Sequence, residues 1–278
     1  SKMENQTTVY TLVLAGLSDL PSLQLPLFLV FLLIYLITLT GNLLILLLIF
    51  TDSHLHTPMY FFLGTLACLD MSCSSVTVPR MLFDLLRERR IISVPACITQ
   101  IYFFFLFVLS EMSVLAVMSY DRYIAICRPL HYMQIMSWNV CIQLVSSCIT
   151  QVFFFLFFGA SECNMVLGAH SYFKIGVLGL TFYPYIPIIT TVLKMTSTNT
   201  RSKAFSTCSS HLTVVSIFYT TIFFNYFRSN ANDHLVEGKV ASVFFAIITP
   251  SLNPVIYSLR NQELKLSLRT FLTGRSHL

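Results

Sequence analysis

The chain has 278 residues, of which 55% are hydrophobic and only 10% are charged, and its mean hydropathy is +0.74. A soluble domain carries roughly 25% charged residues, so this composition excludes a water-soluble globular protein. The net charge of +5 lies on short loops and the tail. It suits anionic lipid or an acidic partner, whereas no basic face is large enough to follow a phosphate backbone, which excludes nucleic acid.

Uncharged or nearly uncharged runs recur along the chain, and each is near the ~20 residues that cross a bilayer as a helix. No segment alternates apolar with polar residues, so spanning strands are excluded. We predict one domain over 1–278, an all-α membrane protein built as a seven-transmembrane-helix bundle with a short C-terminal amphipathic helix. The predicted spans are about 24–50, 58–83, 94–127, 138–158, 168–195, 203–227 and 236–259, and the amphipathic helix is about 261–270.

The segment before the first span carries the sequon Asn5-Gln6-Thr7. Glycosylation takes place on the lumenal side of the membrane, so a glycan on Asn5 requires an extracellular N-terminus. Lysine and arginine hardly fix the orientation, because nine of the 17 fall on one side and eight on the other. The sequon therefore favours a multi-pass protein with its N-terminus outside.

Two acids interrupt otherwise uncharged runs, Asp70 in Ser53–Pro79 and Glu111 in Ile91–Tyr120. Acids inside a membrane are costly and are functional by default. Two carboxylates at similar depth are expected to share a proton or to hold a sodium ion, because unpaired like charges repel. The alternative is two neutral acids that hydrogen-bond across helices. No other cofactor is predicted, and no metal site, because no compact set of four Cys and His ligands forms.

The third span ends on "MSYDRYIAICRPLHY", Met118–Tyr132. An arginine at a helix end can extend to the membrane interface and be held there by a neighbouring acid, so Asp121-Arg122 is first a local ion pair. The sharper interpretation is a latch, paired while the bundle is closed and available to a cytosolic partner when it opens.

Further motifs run nearly end to end. They are "GN" at Gly41-Asn42, "HTPMYFFL" at His56–Leu63, "RSKAFSTCSSHLTVV" at Arg201–Val215, "FYTTIFF" at Phe218–Phe224 and "PSLNPVIYSLRN" at Pro250–Asn261. A DRY triplet alone is a weak signal, but together with these stretches it is highly specific. On them the chain resembles the olfactory receptors, a branch of the rhodopsin-like G-protein-coupled receptors.

The resemblance implies an odorant receptor of the plasma membrane, without catalysis of its own, that binds small, mostly apolar volatile ligands. It implies activation of a stimulatory heterotrimeric G protein, which raises cyclic AMP. The implied G-protein switch consists of Asp121, Arg122, Tyr123, Tyr185, Asn253, Pro254 and Tyr257. The implied polar core or ion site consists of Asn42, Asp70 and Glu111, together with Asn253.

Aromatic and aliphatic residues at helical spacing are candidates for the ligand pocket. The third helix offers Phe104, Phe105, Val108 and Leu109, and the sixth offers Ile222, Phe223 and Tyr226 one turn outside Tyr219, which is similar to the family's toggle aromatic. The alternative for any of them is ordinary packing between helices. A mostly apolar pocket with one phenol suits odorants of modest size with a single hydrogen-bonding group.

The predicted amphipathic helix lies along the inner membrane face. Its apolar residues are Leu264, Leu266 and Leu268, and its polar residues are Lys265 and Arg269. That alternation fits a helix only in part.

The chain departs from the family between the fourth and fifth spans, where a loop of about ten residues holds only Cys163. Cys97 lies where the third span leaves the outer side, and two thiols at neighbouring outer positions of a secretory-pathway protein are expected to form a disulfide. The short loop leaves two alternatives open: a non-odorant rhodopsin-like receptor, or a truncated, signalling-dead olfactory receptor product.

Overall fold

Helices make up most of the part of the chain that the structure, a computed structural model, describes: residues 11–13, 21–87, 89–159, 175–228, 247–260 and 262–273. We refer to the end of the bundle that carries Arg122 as the Arg122 end and to the opposite end as the Cys97 end. The main helices are α1 (Pro21–Thr51), α2 (Pro58–Leu85), α3 (Val94–Cys127), α4 (Trp138–Gly159), α5 (Tyr185–Lys194), α6 (Thr198–Arg228), α7 (Thr249–Arg260) and α8 (Gln262–Thr273).

Five helical segments of the described chain are long and apolar enough to cross a membrane. They are Ser22–Thr51, Pro58–Leu85, Val94–Cys127, Trp138–Phe157 and Ile175–Lys194. A shorter apolar segment, His211–Ile222, lies within α6, and α7 belongs to the seventh predicted span. The predicted starts of the fifth span at 168 and of the seventh at 236 lie outside the described residues. The predicted fold class, a helical multi-pass membrane bundle, is confirmed.

Prolines shape where several helices begin and break. Pro21 is the first residue of α1, and α2 and α3 each have a proline in the first two positions. Proline is favoured there because the first amides of a helix have no intrahelical acceptor. Within the fifth span the helix over 175–182 is interrupted at 183–184 before α5, since Pro184 and Pro187 lack the amide hydrogen that would continue it.

The sixth helix extends further than its predicted span, beginning at Thr198 rather than at 203. Its first turn is polar, with Thr198, Asn199 and Arg201. A helix does not have to end where its apolar segment ends, because its backbone hydrogen bonds are made within the helix.

A short pair of strands lies at the Cys97 end, outside the membrane spans. Thr11–Val13 pairs antiparallel with Ile91–Ser93, with Thr11 opposite Ser93. A guanidinium nitrogen of Arg80, near the end of α2, donates to the Ile91 carbonyl over 2.9 Å. Strands were excluded for the membrane spans. These two strands lie outside the spans, where water is available to their unpaired edges.

The core is centred on α3. Leu109, Met112, Val114 and Leu115 are fully buried, and they belong to one hydrophobic cluster that includes side chains from the other main helices except α5. The outer face of α1 is different, because many of its leucines are exposed. An apolar face that is exposed on a membrane helix contacts lipid. The bundle is therefore apolar both in its core and on the outer face of α1.

One face of the C-terminal helix α8 packs against the bundle. Leu264 and Ser267 are buried and Leu268 packs against the core, whereas Leu266 is 60% exposed. Of the three apolar leucines named from the sequence, Leu264 and Leu268 therefore pack inwards and Leu266 does not. A helix repeats every 3.6 residues, so positions 264, 267 and 268 share a face and position 266 does not.

Candidate functional site

A buried ion pair with a tyrosine attached forms the centre of the Arg122 end. Nη2 of Arg122 donates to Oδ2 of Asp121 over 2.6 Å, and the hydroxyl of Tyr132 donates to Oδ1 of the same carboxylate over 2.8 Å. Asp121 is 1% exposed and Arg122 is 8% exposed. A buried charge is tolerated only when it is paired and hydrogen-bonded, and here both oxygens of the carboxylate are satisfied.

Tyr185 of α5 joins α6 to this centre. Its hydroxyl is hydrogen-bonded to Nδ1 of His211, the two rings are stacked, and both residues are buried. Both side chains also lie near enough to Arg122 to interact electrostatically with its guanidinium group. We call Asp121, Arg122, Tyr132, Tyr185 and His211 the Arg122 cluster. It draws α3, α5 and α6 together at one end of the bundle.

The other predicted switch residues lie beside this cluster. Tyr257 of α7 is 5% exposed, lies within the electrostatic reach of Arg122 and Tyr185, and its hydroxyl has no hydrogen-bond partner among the described residues. Tyr123 is half-buried and packs against the side chains that line the α5–α6 contact. The sequence-predicted switch residues are therefore gathered at one end, with Asn253 and Pro254 deeper along α7.

A second polar group, the polar core, lies further inside the bundle. Nδ2 of Asn253 donates to both carboxylate oxygens of Asp70, over 3.0 and 2.9 Å. Both side chains are buried. Hydrogen bonds to a carboxylate are stronger than those between neutral groups, so this contact is a firm link between α2 and α7.

Glu111 of α3 faces the same region. It is 2% exposed and lies near enough to Asp70 for the two carboxyl groups to interact electrostatically. Its Oε1 has no hydrogen-bond partner within the described chain. Two carboxyl groups with an unsatisfied oxygen between α2 and α3 form a set of oxygen ligands of the kind that hard cations prefer.

Asn42, which the resemblance assigns to the polar core, bonds backbone carbonyls. Pro254 has no amide hydrogen, so the carbonyl of Pro250, four residues earlier, loses its helical donor. Nδ2 of Asn42 approaches that carbonyl at 3.4 Å, as well as the Thr38 carbonyl at 3.0 Å. The backbones of α1 and α7 meet closely here, because a Cβ on Gly41 would lie 3.2 Å from Pro254. Only glycine permits this approach without displacement.

The predicted ligand-pocket residues of α3 divide between core and periphery. Val108 and Leu109 are buried in the main cluster, which is what the packing alternative expects. Phe104 and Phe105 are half-buried and their rings are in edge contact at 5.6 Å.

On α6, Tyr219 is 9% exposed, and its hydroxyl lies 2.9 Å from the Thr181 hydroxyl. Ile222 is half-buried against the main cluster. The side chains of Phe223 and Tyr226 lie outside what the structure describes. The geometry brings Val108, Leu109, Tyr219 and Ile222 into one cluster.

Two predicted modification sites involve residues that the structure does not describe. Cys97 is half-buried in the first turns of α3 and has no disulfide partner among the described residues, while Cys163 lies outside them. Asn5 also lies outside them. The disulfide and the glycan therefore stay predictions. Within the described ranges, no group of three or more His, Cys, Asp or Glu side chains could together hold a metal ion.

Three contributors to these sites were not predicted. Tyr132 and His211 lie inside the motifs that carry the resemblance, but their hydrogen bonds to Asp121 and Tyr185 depend on how the helices meet. Thr181 lies in the segment that matches the family least. No sequence pattern indicates that Thr181 contacts another helix. A threonine in a membrane helix usually bonds its own backbone, as Thr181 also does at the Val177 carbonyl.

Known proteins match the chain over nearly its whole length. The family model described as olfactory receptor matches residues 31–182 and 161–275. Olfactory receptor 8G17 of Mus musculus is 43% identical over 298 positions, covering 95% of this chain and 97% of the relative. Olfactory receptor 8G1 of Homo sapiens is 42% identical over 311 positions, covering 99% of each. Olfactory receptor 5B12 of Homo sapiens is 43% identical over 299 positions, covering 95% and 94%.

A multi-pass helical bundle with a buried Asp-Arg pair at one end and a polar core along its second and seventh helices is a seven-helix receptor. The chain belongs to the olfactory receptor family. Its relatives are receptors and not enzymes, which confirms the predicted family and the predicted absence of catalysis. The alignments are longer than the 278-residue chain, and the two family segments overlap over 161–182, the region around the short loop.

Proposed function

We propose that this odorant receptor is competent to signal, and that it couples to a stimulatory heterotrimeric G protein which raises cyclic AMP. The observation that carries the proposal is the Arg122 cluster. Its arginine is held by a buried carboxylate, its carboxylate by Tyr132, and its flanking helices α5 and α6 by the Tyr185–His211 contact. A guanidinium so held is released only if the helices around it move apart.

In this mechanism the bundle has two states, and the ligand favours the open one by binding it more tightly. Opening separates Arg122 from Asp121 and presents the guanidinium to the G protein. Tyr185 and Tyr257 then occupy the space behind it. Pro254 supplies a point where α7 can bend, because its missing amide leaves the Pro250 carbonyl with Asn42 as its side-chain donor among the described residues.

The proposed ligands are small, mostly apolar, volatile odorants. They enter from the Cys97 end and contact α3 through Phe104 and Phe105 and α6 through Ile222, Phe223 and Tyr226. Tyr219 lies beneath them. Support comes from the cluster that joins Val108, Leu109 and Tyr219, because a ligand pressing on this cluster from outside moves α3 against α6.

The polar core is proposed to hold a sodium ion or a shared proton in the closed state. Asp70 and Glu111 would hold the ion, since both are buried and the Oε1 of Glu111 is unsatisfied within the described chain. A sodium ion there would offset one of the two negative charges of the neighbouring carboxylates. With a shared proton instead, the pair carries a single negative charge.

We further propose that the receptor lies in the plasma membrane with the Arg122 end in the cytosol and the N-terminus outside. The sequon at Asn5 supports this orientation. A disulfide between Cys97 and Cys163 would tie the short loop to α3. Peptide mapping without reduction tests the disulfide, which is refuted if both cysteines are recovered as free thiols from folded protein.

The test of the function is a cyclic AMP assay on cells that display the receptor, challenged with a panel of odorants. At least one odorant should raise cyclic AMP, and Arg122→Ala should abolish that response while surface display is retained. A full response from Arg122→Ala contradicts the role of the latch. The short loop and the interrupted family match favour a second candidate, a signalling-dead product. If that candidate is right, the receptor reaches the cell surface, but no odorant raises cyclic AMP and no G protein is recruited to the receptor.

A further inference from the structure

A groove opens between α5 and α6 in the half of the bundle nearer the Arg122 end, with a volume of about 550 Å³. Its walls are almost wholly apolar. Ile189, Val192 and Leu193 line it from α5, and Phe205, Leu212 and Ser216 line it from α6. We call it the α5–α6 groove. It is separate from the predicted odorant pocket, which lies towards the other end of α6.

The groove opens outwards, to the lipid. Ile189, Leu193 and Phe205 are 54%, 71% and 69% exposed, and the α5 wall belongs to the membrane segment Ile175–Lys194. Apolar side chains exposed on a membrane span contact acyl chains rather than water. The medium that fills this groove is therefore hydrocarbon.

Two cations stand at the end of the groove nearer the Arg122 end. Lys194 is the last residue of α5 and directly follows Leu193. Arg201 lies in the first turns of α6, four residues before Phe205 and so on the same face of the helix. Both side chains are exposed. No Asp or Glu occurs between Tyr185 and Arg228, so neither helix supplies a carboxylate that would neutralise them.

We propose that the α5–α6 groove binds an anionic phospholipid, with one acyl chain between the two helices and the headgroup at Lys194 and Arg201. Lysine and arginine have long apolar stems that reach along a membrane helix to the level of the headgroups. Their charge attracts anionic lipids over neutral ones. An apolar groove with cations at one end thus matches both parts of such a lipid.

Binding there would bear directly on the Arg122 cluster. Tyr185 also lines the groove, and its hydroxyl pairs with His211 of α6. A seated acyl chain therefore contacts one half of the pair that joins α5 to α6. The inference requires only that the helices span a membrane; its assignment to the cytosolic leaflet rests on the orientation proposed above.

The test uses the full chain in nanodiscs of phosphatidylcholine with a minor fraction of phosphatidylserine. Either lipid carries a photoreactive group in one acyl chain, and the labelled peptides are mapped by mass spectrometry. Phosphatidylserine should label peptides of 185–193 and 205–217 more than phosphatidylcholine does. Lys194→Gln or Arg201→Gln should each reduce that preference about five-fold, the effect expected for one cation near a headgroup. The double variant Arg87→Gln with Arg89→Gln removes two charges at the Cys97 end, one more than either single variant, and should change nothing.

A second pair of variants tests the groove itself. Ser216 lines the groove and Thr220, one turn further along α6, does not; both are exposed. Ser216→Trp should displace the acyl chain and remove the preferred labelling, while Thr220→Trp should retain it. Equal labelling by both lipids, or preferred labelling that survives Ser216→Trp, overturns the proposal. The assay needs neither odorant nor G protein, so a receptor that fails to signal leaves its result intact.

Discussion

The hydroxyl of Tyr132 donates a hydrogen bond to Oδ1 of Asp121 over 2.8 Å, while Arg122 is bonded to Oδ2. Tyr132 lies outside the membrane spans, in the helical turn Tyr132–Ile135 between α3 and α4. Burial and the neighbouring Asp121 carboxylate raise the pKa of the Tyr132 phenol. The phenol therefore keeps its proton at neutral pH and remains a donor. The Asp-Arg pair is thus fixed from the loop as well as from its own helix.

Tyr132→Phe should raise basal cyclic AMP in the absence of odorant. The substitution removes one of the hydrogen bonds that hold Asp121 in the closed state, and a hydrogen bond to a charged group contributes about 1.5 kcal/mol or more. That corresponds to roughly a tenfold shift towards the open state. Basal cyclic AMP normalised to surface display is the measurement. Tyr102→Phe is the matched control, because the Tyr102 hydroxyl lies nearer the Cys97 end and has no hydrogen-bond partner among the described residues, and equal effects of the two substitutions would contradict the prediction.

Asp70→Asn and Asn253→Asp should each destabilise the detergent-solubilised receptor, and the double exchange should recover part of the loss. Each single change replaces a carboxylate–amide contact by one between like groups, at a cost of about 1.5–3 kcal/mol. The exchange restores the original pair in reverse. Thermal unfolding midpoints measure the effect, and a double variant that loses the sum of both single losses would show that the side chains act independently.

Sodium should raise the unfolding midpoint of the wild-type receptor more than an equal concentration of choline. Binding to the folded state alone stabilises it by mass action, and the increase should grow with sodium concentration. Glu111→Gln removes one of the two carboxylates and should abolish the difference between the two salts. An identical response to sodium and choline in the wild type favours the shared proton over the ion.

Much of the fold followed from composition alone, because the length of a bilayer span fixes the length of a helix. The structure also gathers Asp121, Arg122 and Tyr185 at one end of the bundle, because helical spacing and the positions of the motifs determine which end each residue reaches. The side-chain contacts themselves could not be predicted from the sequence. Whether Asn42 bonds Asp70 or the Pro250 carbonyl depends on the rotation of α1 against α7, and that rotation is set by the approach of Gly41 to Pro254.

No sequence motif indicates the hydrogen bond between the hydroxyls of Thr181 and Tyr219. Tyr219→Phe and Thr181→Val each remove the same hydrogen bond, at a cost of about 1 kcal/mol. Because the bond is shared, the double variant should lose little more than either single variant. Unfolding midpoints of the four proteins complete the cycle. Fully additive losses would mean that the two hydroxyls, 2.9 Å apart, make separate contributions.

Two contacts attach α8 to the Arg122 end of the bundle. The Tyr60 hydroxyl donates to Oε2 of Glu263 over 2.5 Å, and Asp52, just after α1, accepts from the Ser267 hydroxyl. Burial alone would raise the pKa of Asp52, but the hydrogen bonds from Ser267 and from the His54 backbone and side chain lower it below its usual value. A lowered pKa means that the folded state favours the charged carboxylate, so this contact stabilises α8 above the usual pKa of Asp.

Acidification should therefore loosen α8. As pH falls through the usual aspartate pKa of about 3.9 and below, the stabilisation by Asp52 is lost. Amide hydrogen exchange over 262–273, corrected for the intrinsic effect of pH, should become faster in the wild type relative to the amides of α3. Ser267→Ala should show weaker protection at neutral pH and a smaller change on acidification. Thr273→Ala is the control, because among the described residues the Thr273 hydroxyl bonds only carbonyls of its own helix, and an equal loss of protection in both variants would refute the role of Asp52.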